Sequence, residues 1–381
     1  MKSDIGMRKV LLVSRCAWTL YNFRAGLLSA LKKNGYRVVG GGASGDGFEQ
    51  RVEALGVPYV PLRVDRKGIN PAADIRLFWQ LYRWYRRERP AVVHHFTIKP
   101  VIYGSIAARV AGVPKIVNTV TGLGYVFMEE GMAWLRQLVE WGYRIALASA
   151  HYTFFQNRDD LQYFLSRRLV SKRKSGLLPG SGVDCSYFTL ESLPTRRRPD
   201  SITFLMVARL LREKGVYEFV EAARMVKRKY PGSHFQLLGR RDERNPTVIP
   251  QSDLARWQAE GVATWLGEVA DVRPIVSQSD VVVLPSYREG TPRALLEAAA
   301  MGKPLITTDA VGCREVVSDG VNGFLVPVKD PLALAGAMIK LIEHPGLREL
   351  MGKEGRAKVE REFDERVVIG KILDVYNEVN T

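Results

Sequence analysis

The runs KVLLVS, RVVGGG, AVVHHF, KIVNTV, YTFFQN and SGLLPGSGVD in the first half, and SITFLMVAR, HFQLLG, VATWLG, DVVVLPS, PLITTD and GFLVPV in the second, alternate with helical stretches along the whole chain. Apolar, β-branched runs of this kind suit strands buried on both faces, and strands separated by helices pair in parallel through βαβ crossovers. The expected class is α/β, and at 381 residues the economical arrangement is two Rossmann-like domains. The segment ESLPTRRRPD, residues 191–200, has the proline and charge content of a linker. The expected spans are 1–192 and 193–362, followed by 363–381 as a C-terminal helix returning to the first domain; the stretch REFDERVVIGKILDVYNEV, 361–379, carries the helical pattern.

The run DVVVLPS leads into SYREGTPRALLEAAAMGKP, residues 286–304. Thr291 is a good N-cap, Pro292 suits the first helical position, and Gly302 with Pro304 ends the run, so a helix is expected over 292–301. Glu289 then falls in the loop and Glu297 inside the helix, about 10 Å apart at the helical rise. That distance suits a sugar ring plus a ribose. In open α/β sheets ligands bind at the carboxyl ends of the strands.

After the first strand of the second half comes VARLLREKG, which sets Arg209 and Lys214 around a turn into a helix near Gly215. Fixed cations beside a helix N-terminus make a phosphate site. In a doubly wound sheet this loop and the REGTPRALLE loop converge, so a nucleotide sugar could be divided between them, diphosphate to the cations and hydroxyls to the carboxylates.

VARLLREKG, WLGEVADVRPIVSQSDVVVLPSYREGTPRALLEAAAMGKPLITTD and GCREVVSDGVNGFLVP together resemble the retaining glycosyltransferases of family 4. The spacing of Glu289 and Glu297 matches the paired glutamates of that family. VVHHFTIKPVIYGSIAAR, NTVTGLGYVF, FFQNRDDLQYF and LPGSGVDCSYF extend the resemblance to a bacterial branch similar to N-acetylgalactosaminyltransferases that extend polyprenyl-diphosphate-linked sugars. The resemblance implies a GT-B fold, two Rossmann-like domains facing each other across a cleft. It also implies that Arg209 and Lys214 hold the donor diphosphate, Glu297 the ribose hydroxyls and Glu289 the transferred sugar. Gly290 and Thr291 would offer backbone N–H groups at the helix start, and backbone near Leu266 and Gly267 would face the base. Arg209, Lys214 and Glu289 are thereby the expected catalytic groups, acting by position and charge with no enzymic nucleophile.

The chain departs from the family pattern at two places. Thr121 in TVTGLG stands where many members carry a histidine, and the first loop, usually glycine-rich, reads RCAWTLYNFRAG. Asn22, Arg24, His95 and Thr121 are the acceptor-side candidates; His94 and His95 end a strand at the same edge, where core and functional roles are both open. No Asp-x-Asp pair is present, so no metal is expected, and no cofactor beyond the nucleotide-sugar substrate.

The net charge of +16 is uneven: residues 1–190 carry +15 and residues 191–381 carry +1. A basic half attracts anionic lipid, nucleic acid or a diphosphate. Within 74–88, Arg76, Gln80, Arg83 and Arg87 share one helical face with Trp and Tyr interleaved, and SRRLVSKRKS, residues 166–175, adds a second basic segment. Both are candidate contacts with an anionic membrane; a solvated helix back is the other reading of the first.

No apolar stretch reaches membrane-spanning length, the opening residues lack a signal-peptide core, and Cys16, Cys185 and Cys313 have no metal or disulfide spacing. The expected setting is cytoplasmic, peripheral on the inner face of the cytoplasmic membrane. The expected partners are a nucleotide sugar and a lipid-linked saccharide, with no nucleic acid. The competing classes are a nucleic-acid-binding protein, for which no recognition signature is present, and an NAD-dependent oxidoreductase, which needs GxGxxG after the first strand. GGGASGDG at 40–47 follows a second strand and reads as a loop. A nucleotide-sugar epimerase of similar fold is the third; it would release a free epimerised nucleotide sugar without an acceptor.

Overall fold

The computed structural model describes residues 8–65, 70–123, 133–190, 201–243 and 245–378. The expected linker at 191–200 lies outside them, as does most of the GLGYVF part of the NTVTGLGYVF motif. Two compact units divide the chain, unit 1 comprising 1–181 with 365–381 and unit 2 comprising 182–364.

Unit 1 carries strands β1 (Lys9–Cys16), β2 (Arg37–Ala43), β3 (Tyr59–Pro61), β4 (Val92–Phe96), β5 (Lys115–Val120), β6 (Tyr152–Phe155) and β7 (Ser175–Leu177). They form one parallel sheet in the order β3-β2-β1-β4-β5-β6-β7. The chain starts in the middle, winds outward to β3, then crosses to β4, so the order reverses between β1 and β4. Helices α1 (Ala17–Lys33), α2 (Glu49–Ala54), α3 (Pro71–Glu88), α4 (Ser105–Ala111), α5 (Ala133–Ala148) and α6 (Arg158–Ser166) make the crossovers.

Alternation along each strand decides which helix it meets. Val10 and Leu12 of β1 pack with Leu20, Leu27, Leu28 and Leu31 of α1, whereas Leu11 and Val13 pack with Leu77, Leu81 and Trp84 of α3. Each such leucine, wholly or nearly wholly buried, contributes about 1.5–3 kcal/mol relative to exposure. Ile116 and Val120 of β5 point the same way as Leu11, and α5 packs there through Tyr143, Ala146 and Leu147, so α3, α4 and α5 share one face of the sheet.

Gly40, Gly41 and Gly42 lie inside β2 and not in a loop. A Cβ on Gly41 would stand 2.7 Å from the Trp84 ring, so the glycine lets α3 approach the sheet. The final helix α14 (Glu365–Glu378) joins this unit, packing Val368, Ile372 and Tyr376 with the α1 side of the sheet. Arg361 and Glu362, expected within it, belong to the preceding helix, and Phe363 and Asp364 separate the two.

Unit 2 repeats the plan with β8 (Thr203–Val207), β9 (His234–Leu238), β10 (Thr264–Trp265), β11 (Val281–Leu284), β12 (Leu305–Thr308) and β13 (Gly323–Val326) in the order β10-β9-β8-β11-β12-β13. Its helices are α7 (Val216–Lys229), α8 (Gln251–Ala259), α9 (Arg273–Gln278), α10 (Arg293–Ala300), α11 (Cys313–Val316), α12 (Pro331–Glu343) and α13 (Pro345–Glu362). Val183, Cys185 and Phe188 already belong to this unit's core. The order reverses between β8 and β11, which makes their carboxyl ends the place for a ligand.

Candidate active site

In unit 2 three loops meet at that edge. The loop after β8 makes a short 3-10 turn, Arg212–Lys214, and enters α7 through Gly215 at φ 78°, where a Cβ would collide with the Pro285 carbonyl. Only glycine fits, because the conformation is left-handed and the loop after β11 lies against it. Tyr287 N donates to Glu213 O at 2.9 Å, joining the two loops through their backbones. The loop after β12 closes in from the other side: Glu289 N donates to Val311 O at 2.9 Å, and a Cβ on Gly312, φ 82°, would meet the Glu289 and Gly290 carbonyls.

This scaffold brings Lys214 and Glu289, 75 residues apart, into an ion pair of 2.5 Å, each side chain 16% exposed. The pair is held but reachable by solvent. Arg209 faces Asp242 at 3.6 Å. Glu297 lies in the second turn of α10, 16% exposed, with Arg293 Nε donating to it at 2.7 Å. Desolvation raises the Glu297 pKa above the ordinary glutamate range; Arg293 opposes the shift, and Asp271 adds to it.

One expectation needs correction here. Helix α10 starts at Arg293 with Pro292, φ −72° and ψ 109°, as its N-cap, so Thr291 is not the cap. Gly290 and Thr291 sit in the loop directly ahead of the helix start. At the β10 turn, Leu266 N donates to Leu237 O and Gly267 O accepts from Gly239 N, so these two groups are spent on the fold. The remaining backbone of that turn is what a base could meet.

In unit 1 the acceptor-side candidates are placed less openly. Asn22 and Arg24 stand in α1, not in a loop. Asn22 Nδ2 donates to Trp18 O at 3.0 Å; Arg24 is buried, donates to Phe23 O at 2.7 Å and lies 4.5 Å over the Phe96 ring. His95 is wholly buried, its ring nitrogens bonded to Tyr85 OH at 2.9 Å and Asn118 Oδ1 at 3.0 Å. Burial lowers its pKa to about 4, partly offset by the Asn118 bond. It is a neutral core residue, which corrects its assignment as an acceptor contact. His94 is likewise buried, bonded to Tyr376 OH and Thr119 Oγ1 at 2.8 Å each, and so fastens α14 to the sheet. Thr121 is half-buried just past β5.

Thr97, just past β4, has φ 72° and a buried Oγ1 without a hydrogen-bond partner, and leads into a π-helical segment, Pro100–Gly104. A β-branched residue in this conformation is strained, and strain of this kind gathers at functional sites. Nothing in the sequence marks it. On α3, Arg76, Arg83 and Arg87 are exposed and line, with Arg63, Trp79 and Gln80, a concave surface of about 750 Å3. Gln80 fixes its rim by bonding Arg63 N at 2.9 Å and Pro61 O at 3.1 Å. Of the interleaved aromatic residues, Trp79 is exposed while Trp84 is buried.

Residues 9–157 match the glycosyl transferase 4-like family, and residues 201–344 match glycosyl transferases group 1. The chain is 27% identical to the N,N'-diacetylbacillosaminyl-diphospho-undecaprenol alpha-1,3-N-acetylgalactosaminyltransferase of Campylobacter jejuni, over 96% of this chain and 98% of that one. It is also 27% identical to the UDP-Gal:alpha-D-GlcNAc-diphosphoundecaprenol alpha-1,3-galactosyltransferase of Escherichia coli, over 87% and 85% of the two chains. A glycosyltransferase from Rickettsia africae superposes with a TM-score of 0.78 at 18% identity, covering 98% of this chain and 99% of that one. The chain belongs to the glycosyltransferases of GT-B fold, with a 4-like N-terminal unit and a group 1 C-terminal unit.

Proposed function

We propose that this glycosyltransferase moves a hexose or N-acetylhexosamine, with N-acetylgalactosamine the first candidate, from a UDP-sugar to a saccharide carried on polyprenyl diphosphate. It does so at the inner face of the cytoplasmic membrane, in the assembly of a surface or protein-linked glycan. The observation that carries this reading is the Lys214–Glu289 pair at the meeting of the β8 and β11 loops, with Glu297 one helix segment away. The two relatives named for diphosphoundecaprenol-linked substrates support the acceptor class.

An arriving diphosphate competes with Glu289 for Lys214, since both are anions seeking the same ammonium. Lys214 and Arg209 then hold the leaving phosphates, and Glu289 is released toward the hydroxyls of the transferred sugar. Glu297 accepts from the ribose hydroxyls. These fixed charges offset the negative charge that grows on the leaving diphosphate, which is the electrostatic part of catalysis. Retention of configuration is part of the reading: a UDP-hexose is an α-glycoside, and both relatives are named for forming alpha-1,3 linkages. So is independence of a divalent metal, the cations standing in for it.

Among the described residues no helix is long and apolar enough to cross a membrane; in this reading the lipid-linked acceptor is met at the membrane surface. The exposed arginines of α3 and the basic segment 166–175 supply attraction to anionic lipid, about 1 kcal/mol for each basic residue near such a surface.

The test is transfer from a panel of UDP-sugars to a synthetic polyprenyl-diphosphate disaccharide, in EDTA, with the anomeric coupling of the product read by NMR. The expected result is an α-linked, lipid-borne product. Epimerised UDP-sugar appearing without acceptor, or activity restored only by magnesium or manganese, would contradict the reading.

A further inference from the structure

Helix α5 is apolar on two sides. One side, Leu135, Tyr143, Ala146 and Leu147, is buried in the core with Val101, Ile102 and Phe155. On the other, Trp134, Leu138, Trp141 and Ile145 are 65%, 56%, 66% and 44% exposed. Their spacing of four, three and four residues draws a straight stripe along the helix. A helix that is apolar on both sides is expected to be covered on both, and an exposed stripe of this size is a contact surface.

The border of the stripe is positive. Arg144 lies along one side of it and donates to Arg167 O at 3.3 Å, which sets the basic segment with Arg167, Arg168, Lys172 and Arg173 beside the helix. The single acid of α5, Glu140, is already bonded by Tyr163 and lies 3.8 Å from Arg167. The rest of unit 1 also presents apolar side chains to solvent. Among the described residues its other large exposed apolar side chains are Ile75 and Trp79 on α3, Val110 beside them on α4, and Leu177 on β7. In unit 2 the corresponding residues, Tyr187, Val321, Leu332 and Leu350, fall in four separate segments.

We infer that the α5 stripe is the part of the protein that enters an anionic lipid bilayer, with Trp134 and Trp141 at headgroup level and Leu138 and Ile145 below them. Tryptophan favours that level because its ring is apolar and its N–H stays hydrated, and the bordering arginines and lysines reach the lipid phosphates from the same depth. The inference rests on the proposed lipid-linked acceptor for its biological sense, but it predicts a different salt response from charge alone. Attraction by α3 and 166–175 fades as the screening length shortens to about 3 Å at 1 M salt, whereas apolar insertion remains.

Full-length protein is to be mixed with vesicles of phosphatidylglycerol and phosphatidylethanolamine, with or without brominated acyl chains, in 0.1 and 1 M NaCl. Wild type should keep measurable binding in 1 M salt, and its fluorescence should be quenched by brominated lipid. Leu138→Ser with Trp141→Ser should weaken binding in 1 M salt at least tenfold. Trp134→Phe with Trp141→Phe should bind like wild type but lose most of the quenching, because it keeps the apolar surface and removes the reporters. Undiminished quenching in that second variant, or no binding by wild type in 1 M salt, overturns the inference. So does wild type that sediments as a dimer without lipid while the serine variant is a monomer, since a second copy then covers the stripe. UDP binding and transfer to a water-soluble short-chain acceptor report separately on the glycosyltransferase reading: if they persist while the vesicle results fail, only the assignment of this surface falls.

Discussion

Where strand order reverses, unit 1 sets β1 beside β4 and unit 2 sets β8 beside β11. The two junctions treat their polar groups in opposite ways. In unit 1, His94 and His95 at the end of β4 are wholly buried and bonded to Tyr376, Thr119, Tyr85 and Asn118. In unit 2 the charged groups beyond β8 and β11, Lys214, Glu289 and Glu297, hold one another's or a neighbour's charge while staying partly exposed. The outer surfaces reverse the contrast, because unit 1 presents the arginines and the α5 stripe and unit 2 carries scattered apolar residues. The same sheet plan thus keeps a partly exposed, charged edge in one unit and a sealed edge in the other, whose exterior bears exposed arginines and apolar side chains.

The sharpest way to break this contrast is Glu289→Ala. If Glu289 meets only the transferred sugar, turnover should fall by about 10²–10³, the usual loss for one preorganised electrostatic group. UDP affinity should hold or rise, because Lys214 is freed from its partner. A matching loss of UDP affinity would show that Glu289 belongs to the nucleotide site.

The sealed edge of unit 1 predicts a pH effect. His95 stays neutral in the folded state down to about pH 4, while an unfolded histidine takes up its proton near pH 6.5. The unfolded state therefore binds more protons as pH falls through that window, and stability present above about 6.5 is lost toward 4. The difference amounts to about 3 kcal/mol for this one group. Hydrogen exchange corrected for intrinsic rates should show β4 and β5 losing protection over that range faster than β8 and β11. Equal loss in both units would make the histidines irrelevant.

A smaller effect tests the donor side. Glu297→Gln should weaken UDP binding by about 1.5–3 kcal/mol, the contribution of a charge-assisted hydrogen bond. Because the Glu297 pKa is raised, wild-type UDP affinity should begin to fall at a higher pH than an ordinary glutamate gives, and the glutamine variant should lack that step. Calorimetry in which the two profiles coincide would remove Glu297 from the site. Last, Arg83→Glu with Arg87→Glu should reduce vesicle binding at low salt by about 1 kcal/mol or slightly more for each position. Turnover of a long-chain acceptor should fall with it and that of a soluble short-chain acceptor should not; equal loss on both would give the arginines a different role.

Much of this was legible in the sequence where local pattern and final burial agree. Strands β1, β4, β5, β8, β11 and β12 are largely apolar runs that end up buried, and Lys214 and Glu289 follow from loops, and Glu297 from the helix start, that the alternation already sets at strand ends. Strand β3, Tyr59–Pro61, escaped because three residues ending in proline carry no strand pattern of their own and depend on pairing with β2. Gly40–Gly42 read as a loop because glycine signals freedom, whereas here the missing side chains make room for Leu20, Trp84 and the Ser14 carbonyl. His95 read as a ligand contact because a histidine at a strand end is ambiguous until Tyr85 and Asn118, distant in sequence, are seen to occupy both nitrogens. The α5 stripe escaped because an apolar residue does not announce which side of a helix is covered.

The division of labour between the units can be tested in one measurement, hydrogen–deuterium exchange of the whole chain with UDP alone, with anionic vesicles alone, and with both. UDP should protect the loops after β8 and β11 in unit 2 and leave α5 unchanged. Vesicles should protect α5 and residues 166–174 and leave those loops unchanged. Protection of α5 by UDP without lipid, or of the β8 and β11 loops by vesicles without nucleotide, would contradict the account.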